Sequence, residues 1–291
     1  MFGKVTIIGM GLIGSSIARN VLAHKLAKTL VVADASEEVC KKLVELELGN
    51  IVTDELALSV EDADLVILAV PVGAMGKVAK IIAPNLKQGA ILSDTGSVKV
   101  SVIDQIKPFC RSGIEIVPAH PIAGTEFSGP ESGFVELFEK KWCIITPLPE
   151  TDVRSVEKVS EFWEKMGAVI NIMEPEHHDL VLGITSHLPH LIAYTIVGTA
   201  DELSDDIKSE VIQFSASGFR GFTRIAASDP TMWRDIFLNN KDAVLEILQR
   251  FTEDLTAMQK AIRKGDGDYL YESFSKTRAI RKAIIEQDVG N

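Results

Sequence analysis

Six histidines are spread over the 291 residues, and three of them stand where a reactive group is useful. His120 closes the β-branched run "IEIVPAH" (114–120), while His187 and His190 in "SHLPH" (186–190) are three apart and share one helical face. An imidazole titrates near neutrality, so each can act as a general base or as a metal ligand. His187 and His190 with either His178 or Asp179 could hold a metal. No cysteine or second acid falls at matching spacing, so the expected metal content is none. Arg220, Arg224 and Arg234 follow in "GFRGFTRIAASDPTMWRDIF" (218–237), and a guanidinium can grip a carboxylate through two parallel hydrogen bonds. For Arg234, beside Asp235, a surface ion pair is the simpler role. A base and an anion clamp are the chemistry these residue types offer.

A second group of residues points to a cofactor. Gly9, Gly11 and Gly14 form G-x-G-x-x-G directly after the run "VTIIG" (5–9) and at the start of "LIGSSIARNVLA", where Leu12 and Ile13 open a helical pattern. Such glycines allow a tight turn and let backbone amides and the helix N-terminus approach a pyrophosphate. Asp34 ends the next strand-like run, twenty residues beyond Gly14. Its carboxylate suits the ribose hydroxyls of NAD and repels the extra phosphate of NADP. NAD is therefore the expected cofactor. Two later strand ends should also reach the ligand: Val70, Pro71 and Val72 in "LAVPV", and Asp94, Thr95, Gly96 and Ser97 in "SDTGSVK". For Asp94 and Thr95, a turn or helix-capping role is the simpler expectation.

The elements that must hold these residues follow from periodicity. Up to about residue 173, short β-branched runs alternate with helical patterns, which reads as βαβ units around a mostly parallel sheet ending near Met173. In the helix between the strand-like runs "WCIITP" (142–147) and "AVINIM" (168–173), Val153, Val156, Val159, Phe162, Trp163 and Met166 recur at helical spacing. Beyond Pro175 only helical periods remain. The expected fold is thus α/β: an N-terminal Rossmann-type domain, 1–173, followed by an all-α domain, 174–291. One stripe of Val244, Ile247, Phe251, Leu255, Met258 and Ile262, together with "HLIAYTIVGTA" (190–200), offers more apolar helix surface than the second domain can hide, so a homodimer through that domain is expected.

Composition sets the outer bounds. Hydrophobic residues at 46% and charged residues at 24% fit a globular protein with a real core. A net charge of −11 disfavours nucleic acid and anionic lipid as partners. The apolar runs read from the sequence are strand-sized, so no membrane partner is expected. Cys40, Cys110 and Cys143 form no C-x-x-C pair, and Met1–Lys4 lead straight into a strand, so a cytoplasmic setting is expected.

With these residues in place, the sequence resembles the prephenate and arogenate dehydrogenase family, including the cyclohexadienyl dehydrogenases that accept either substrate. The likeness is carried by "GMGLIGSS", "SDTGSVK", "HPIAGTE", "SHLPH" and "FTRIAASDPTMWRDIF", in the family's order. The resemblance implies NAD-dependent oxidative decarboxylation of prephenate or arogenate in tyrosine biosynthesis, with the substrate between a Rossmann domain and a helical dimerising domain. It also implies His120 as the base and Ser97 as a second group on the same hydroxyl. Arg224 would bind the carboxylate, with His190, His187, Thr125, Ser186 and Trp233 lining the pocket. The sequence departs at Gly221, where many relatives carry an acid, which leaves the keto or amino preference open. A β-hydroxyacid dehydrogenase is the alternative enzyme, but it would lean on a catalytic lysine in the helical domain. A redox-sensing NAD-binding protein would have no use for His120, Ser97 and Arg224 together.

Overall fold

A computed structural model describes residues 2–125, 127–202 and 216–288. Apolar β-branched runs become strands β1 (Phe2–Ile8), β2 (Ala27–Ala33), β3 (Ile51–Thr53), β4 (Leu65–Leu68), β5 (Ile91–Asp94) and β6 (Glu115–Ile116). They form one sheet in the order β3-β2-β1-β4-β5-β6, and every pairing is parallel. Helices α1 (Leu12–Ala23), α2 (Glu37–Glu45), α3 (Leu56–Ser59), α4 (Met75–Ile82) and α5 (Val100–Ile106) make the crossovers. Burial on both faces explains why the central strands read as continuous apolar runs: Leu65, Val66, Ile67 and Leu68 are all buried. Strand order reverses between β1 and β4, and ligands of such sheets bind beyond the strand ends at that reversal. The Rossmann expectation holds.

The sheet does not continue to Met173 as the sequence suggested. β7 (Ala119–Pro121), β8 (Trp142–Ile145) and β9 (Val169–Ile172) form a separate three-stranded sheet, with β7 antiparallel and β9 parallel to β8. Strand-like composition reports local pleating and says nothing of the partner strand, so periodicity merged the two sheets. Helix α6 (Val153–Glu164) is capped by Asp152, whose carboxylate accepts from the Arg154 amide at 2.9 Å. It buries Val156, Val159, Phe162 and Trp163 but leaves Val153 exposed at its first position. Trp163 is fully buried and meets Phe138 edge-on, with ring centroids 5.2 Å apart.

Beyond β9 the described chain is helical: α7 (Pro175–Leu182), a π-helical turn (Gly183–His187), α8 (Leu188–Asp201), α9 (Ser217–Thr223), α10 (Pro230–Asn239), α11 (Lys241–Lys264) and α12 (Gly267–Asp288). The run Pro175–Asp201 is unbroken over 27 residues and holds an 18-residue stretch with a mean hydropathy of 1.5, long and apolar enough by length and composition to cross a membrane. The strand-sized apolar runs seen in the sequence understate it, because His178, Asp179, His187 and His190 interrupt the run. Those four side chains are all hydrogen-bonded within the chain. The chain falls into two compact units, Met1–Lys241 and Asp242–Asn291, so α7 to α10 belong with the sheets. In the second unit, Leu255 and Ile262 of the predicted stripe are exposed.

Trp163→Ala is expected to cost about 3–5 kcal/mol through the cavity it leaves. The check is a lower denaturant midpoint with an unchanged m-value.

Candidate active site

The nucleotide end of the site is built from close backbone approach. Gly9 adopts φ +92°, and a Cβ there would lie 2.6 Å from the Ala69 carbonyl oxygen and from a Val70 methyl. A Cβ on Gly14 would lie 2.0 Å from the Gly9 carbonyl oxygen, so helix α1 can rest on the turn only without a side chain there. Gly11 has open space where its Cβ would be, as an approaching phosphate requires. It caps α1 without a side-chain hydrogen bond, so the amides opening at Leu12 and Ile13 have no competing cap. Asp34 follows β2, and its carboxylate accepts from the amides of Met10 at 2.9 Å and Ser36 at 3.0 Å. Those two bonds fix the acid beside the glycine turn. Val70 packs on Gly9, and Pro71 next to it is exposed at the end of β4. The residues present therefore fit a dinucleotide.

A buried polar chain forms the chemical end. His120 lies in β7 and is almost fully buried. Its Nδ1 is 2.8 Å from Nε2 of His178, and Nδ1 of His178 is 2.8 Å from Oδ1 of Asp179. The Asp179 carboxylate also accepts the backbone amides of Lys99 at 2.7 Å and Val100 at 3.0 Å, holding the start of α5 against α7. Lys99 is itself fully buried: its ammonium pairs with Asp94 and donates to the Ala119 carbonyl at 2.7 Å. That lysine ties the loop carrying Ser97 to the strand carrying His120. Asp94 accepts the Gly96 amide at 2.7 Å, so the expected turn role is present, but the ion pair with Lys99 adds to it.

The third part lies on α7 to α10. Asn240 donates both to the Asp179 carbonyl at 2.9 Å and to Nδ1 of His187 at 3.0 Å, which places the His187 ring proton on Nε2. Nε2 is buried without a well-aligned partner, although the Ser97 backbone still acts on the ring. His190 stacks on Trp233 with centroids 3.6 Å apart, and its Nδ1 donates to the Ser186 carbonyl at 2.9 Å. Arg224 lies near enough for its charge to disfavour protonation of His190. Arg220 is exposed, and Arg234 pairs with Asp235 at 2.7 Å, the simpler role anticipated for it. Thr125 is exposed on the loop after β7 and accepts the Phe127 amide at 3.3 Å, a local turn contact.

Burial and neighbouring charge set the protonation of the cluster. Burial above all, then His178, Lys99 and His187, holds His120 well below the ordinary imidazole range. Burial lowers His178 as well, against the pull of its bond to Asp179, and pushes His187 down to about 4. His120 is therefore neutral at pH 7 and able to take a proton. Lys99, His178, Asp179 and Asn240 are the functional neighbours that sequence reasoning missed or placed otherwise. His178 and Asp179 entered only as possible metal ligands, whereas here they bond to His120 and to α5. A lysine at the end of "SDTGSVK" was the one available signal of a buried ion pair.

Three comparisons bear on this arrangement. A family model described as the prephenate dehydrogenase nucleotide-binding domain matches residues 17–172, and one described as the prephenate dehydrogenase dimerization domain matches 174–276. Over 284 residues the chain is 45% identical to a cyclohexadienyl dehydrogenase of Zymomonas mobilis, covering 98% of this chain and 97% of that one. It is 30% identical to a prephenate dehydrogenase of Bacillus subtilis, covering 98% of this chain and 76% of the relative. The solved structure of Aquifex aeolicus prephenate dehydrogenase, in complex with hydroxyphenyl propionate and NAD+, superposes with a TM-score of 0.90 at 33% identity, covering 98% and 99% of the two chains.

Neutral buried histidines give the stability a defined pH dependence. Unfolded, these imidazoles titrate near 6.5; folded, they bind protons only at lower pH, so the unfolded state holds more protons in between. Stability should fall as pH drops below about 6.5, by up to about 1.4 kcal/mol per pH unit for each such group. For His187 the loss extends down to about 4. Urea midpoints measured from pH 7.5 to 5 check this, and a flat profile would mean these rings are not buried neutral.

Proposed function

The chain belongs to the prephenate dehydrogenase family, and from that membership and the geometry above we propose that it oxidatively decarboxylates prephenate, arogenate or both with NAD, in tyrosine biosynthesis. The observation that carries the reading is His120: a neutral, buried imidazole held in the middle of β7, whose strand is tied through Lys99 to the Ser97 loop. Both substrates carry a carboxylate on a ring carbon opposite a carbon bearing H and OH. NAD, when bound at the glycine turn and Asp34, supplies the hydride acceptor. His120 takes the hydroxyl proton, and Ser97 hydrogen-bonds the same oxygen. The carbonyl so formed draws electrons from the bond to the ring carboxylate, carbon dioxide leaves, and the ring becomes aromatic.

Arg224 binds the ring carboxylate in this scheme. Its contribution lies in binding and orientation, because gripping a group that must leave stabilises the ground state. His190, stacked on Trp233, together with His187, Ser186 and Thr125, faces the side chain of the substrate. Asp34 favours NAD over NADP through its fixed carboxylate. We also propose the division at residues 173/174 as the boundary between nucleotide-binding and helical regions, and a homodimer through the helical region. The exposed apolar side chains of Ile196 and Val197 on α8, and of Leu255 and Ile262 on α11, support the dimer.

The direct test is NADH absorbance with each combination of prephenate or arogenate and NAD or NADP; no turnover in any combination would remove the proposal. His120→Asn should lower kcat by about 10²–10⁴ with KM little changed, as loss of a general base does. Arg224→Ala should instead raise KM far more than it lowers kcat, and equal losses in both would count against its role.

A further inference from the structure

A base must present a lone pair to its proton, and an imidazole has two nitrogens of which only one is free in the neutral form. The hydrogen bonds around His120 decide which. Both oxygens of Asp179 accept backbone amides, from Lys99 and Val100, so this carboxylate is an acceptor fixed in place by the start of α5. The nitrogen facing it, Nδ1 of His178, must carry a proton. With its single proton there, His178 has a lone pair on Nε2, and the group facing that lone pair is Nδ1 of His120 at 2.8 Å. We infer that His178 and Asp179 are positioning residues that hold the His120 proton on Nδ1, so that Nε2 is the basic nitrogen offered to the substrate.

The competing arrangement makes His178 a cation that donates from both nitrogens, with Nδ1 of His120 accepting and Nε2 protonated. That form could not act as a base. The surroundings oppose it: His178 is fully buried, and the Lys99 ammonium acts on the same ring. Asp94 neutralises Lys99 through their ion pair, and its charge and that of Asp179 are the groups favouring the cation. On the other side, His187 is held neutral, with Asn240 donating to its Nδ1. When His120 takes a proton at Nε2 it becomes an imidazolium whose Nδ1–H already points at His178, so Asp179 stabilises the charge through one intervening ring. No bond other than those to the transferred proton changes, and no electrons move between the residues. A similar relation, in which an acid fixes the tautomer of a catalytic imidazole, governs hydrolytic triads; here a second imidazole stands between them.

The inference rests on His120 being the base of the proposed reaction, and it is tested by a readout independent of turnover. Long-range proton–nitrogen correlation spectra of the 15N-labelled full chain report the histidine tautomers, with His120→Asn identifying the signals of that ring. The wild-type spectrum should show His120 protonated at Nδ1 at pH 7.5; a proton on Nε2 would overturn the inference by itself, whatever any variant does. His178→Phe should release that preference and lower kcat on the order of 10²-fold, with KM for the ring substrate changed by no more than about twofold. His178→Gln, whose side-chain carbonyl can accept from Nδ1, should recover part of the loss. A His178→Phe enzyme with unchanged tautomer and unchanged kcat would refute the positioning role. Absence of any dehydrogenase activity in the wild type would remove the functional reading and leave the tautomer result to decide the arrangement.

Discussion

Asp179 accepts hydrogen bonds at both oxygens, from the backbone amides of Lys99 and Val100 at the start of α5 and from the ring of His178, and the buried polar chain that reaches His120 depends on that one carboxylate. Burying a charge is costly unless it is fully hydrogen-bonded, and the Asp179 bonds meet that condition. They also couple elements distant in sequence. Helix α7 is held against the start of α5, Lys99 reaches from there to Asp94 and the β7 backbone, and His178 reaches from α7 to His120. A low local dielectric strengthens each bond and raises the cost of losing any one of them. The His120 imidazole is thus set in place by a network and not by its own strand alone.

The nucleotide end obeys a different constraint, set by sterics. Gly9 and Gly14 are required because any Cβ would collide with backbone oxygen atoms, whereas the space where a Gly11 Cβ would be is open. Asp34 is fixed by one amide from that turn, Met10, and one from its own loop after β2, Ser36, so the acid is held beside the glycines. Strand reversal at β1 and β4 sets this turn at the carboxyl edge of the sheet. His120 belongs to the small second sheet. Lys99 connects the two, because its backbone follows β5 and its ammonium binds the carbonyl of Ala119 in β7.

The glycine fingerprint, Asp34, the parallel sheet and the helical tail were legible in the sequence because each is a local or periodic property: a turn that admits only glycine, an acid at a strand end, side chains repeating at the period of the element. His120 and the arginine segment were legible as rare polar types in apolar surroundings. The separation of β7, β8 and β9 into their own sheet was not, since a strand's sequence does not name its partner. Arg234, paired with its neighbour Asp235, shows how a charged residue type alone does not define a site.

Sequence by itself determined that this chain builds a glycine turn of the dinucleotide-binding kind, sets a histidine at a strand and arginines in a helical segment, and continues in helices beyond the sheets, because those features follow from residue type and short spacing. Only the tertiary structure decided that His178 bonds to both His120 and Asp179, and that Lys99 is a buried counter-ion. Those roles depend on contacts across 58 residues for His178 with His120 and 80 for Lys99 with Asp179. Contacts at such separations are fixed by the packing of whole elements, and no local pattern encodes them.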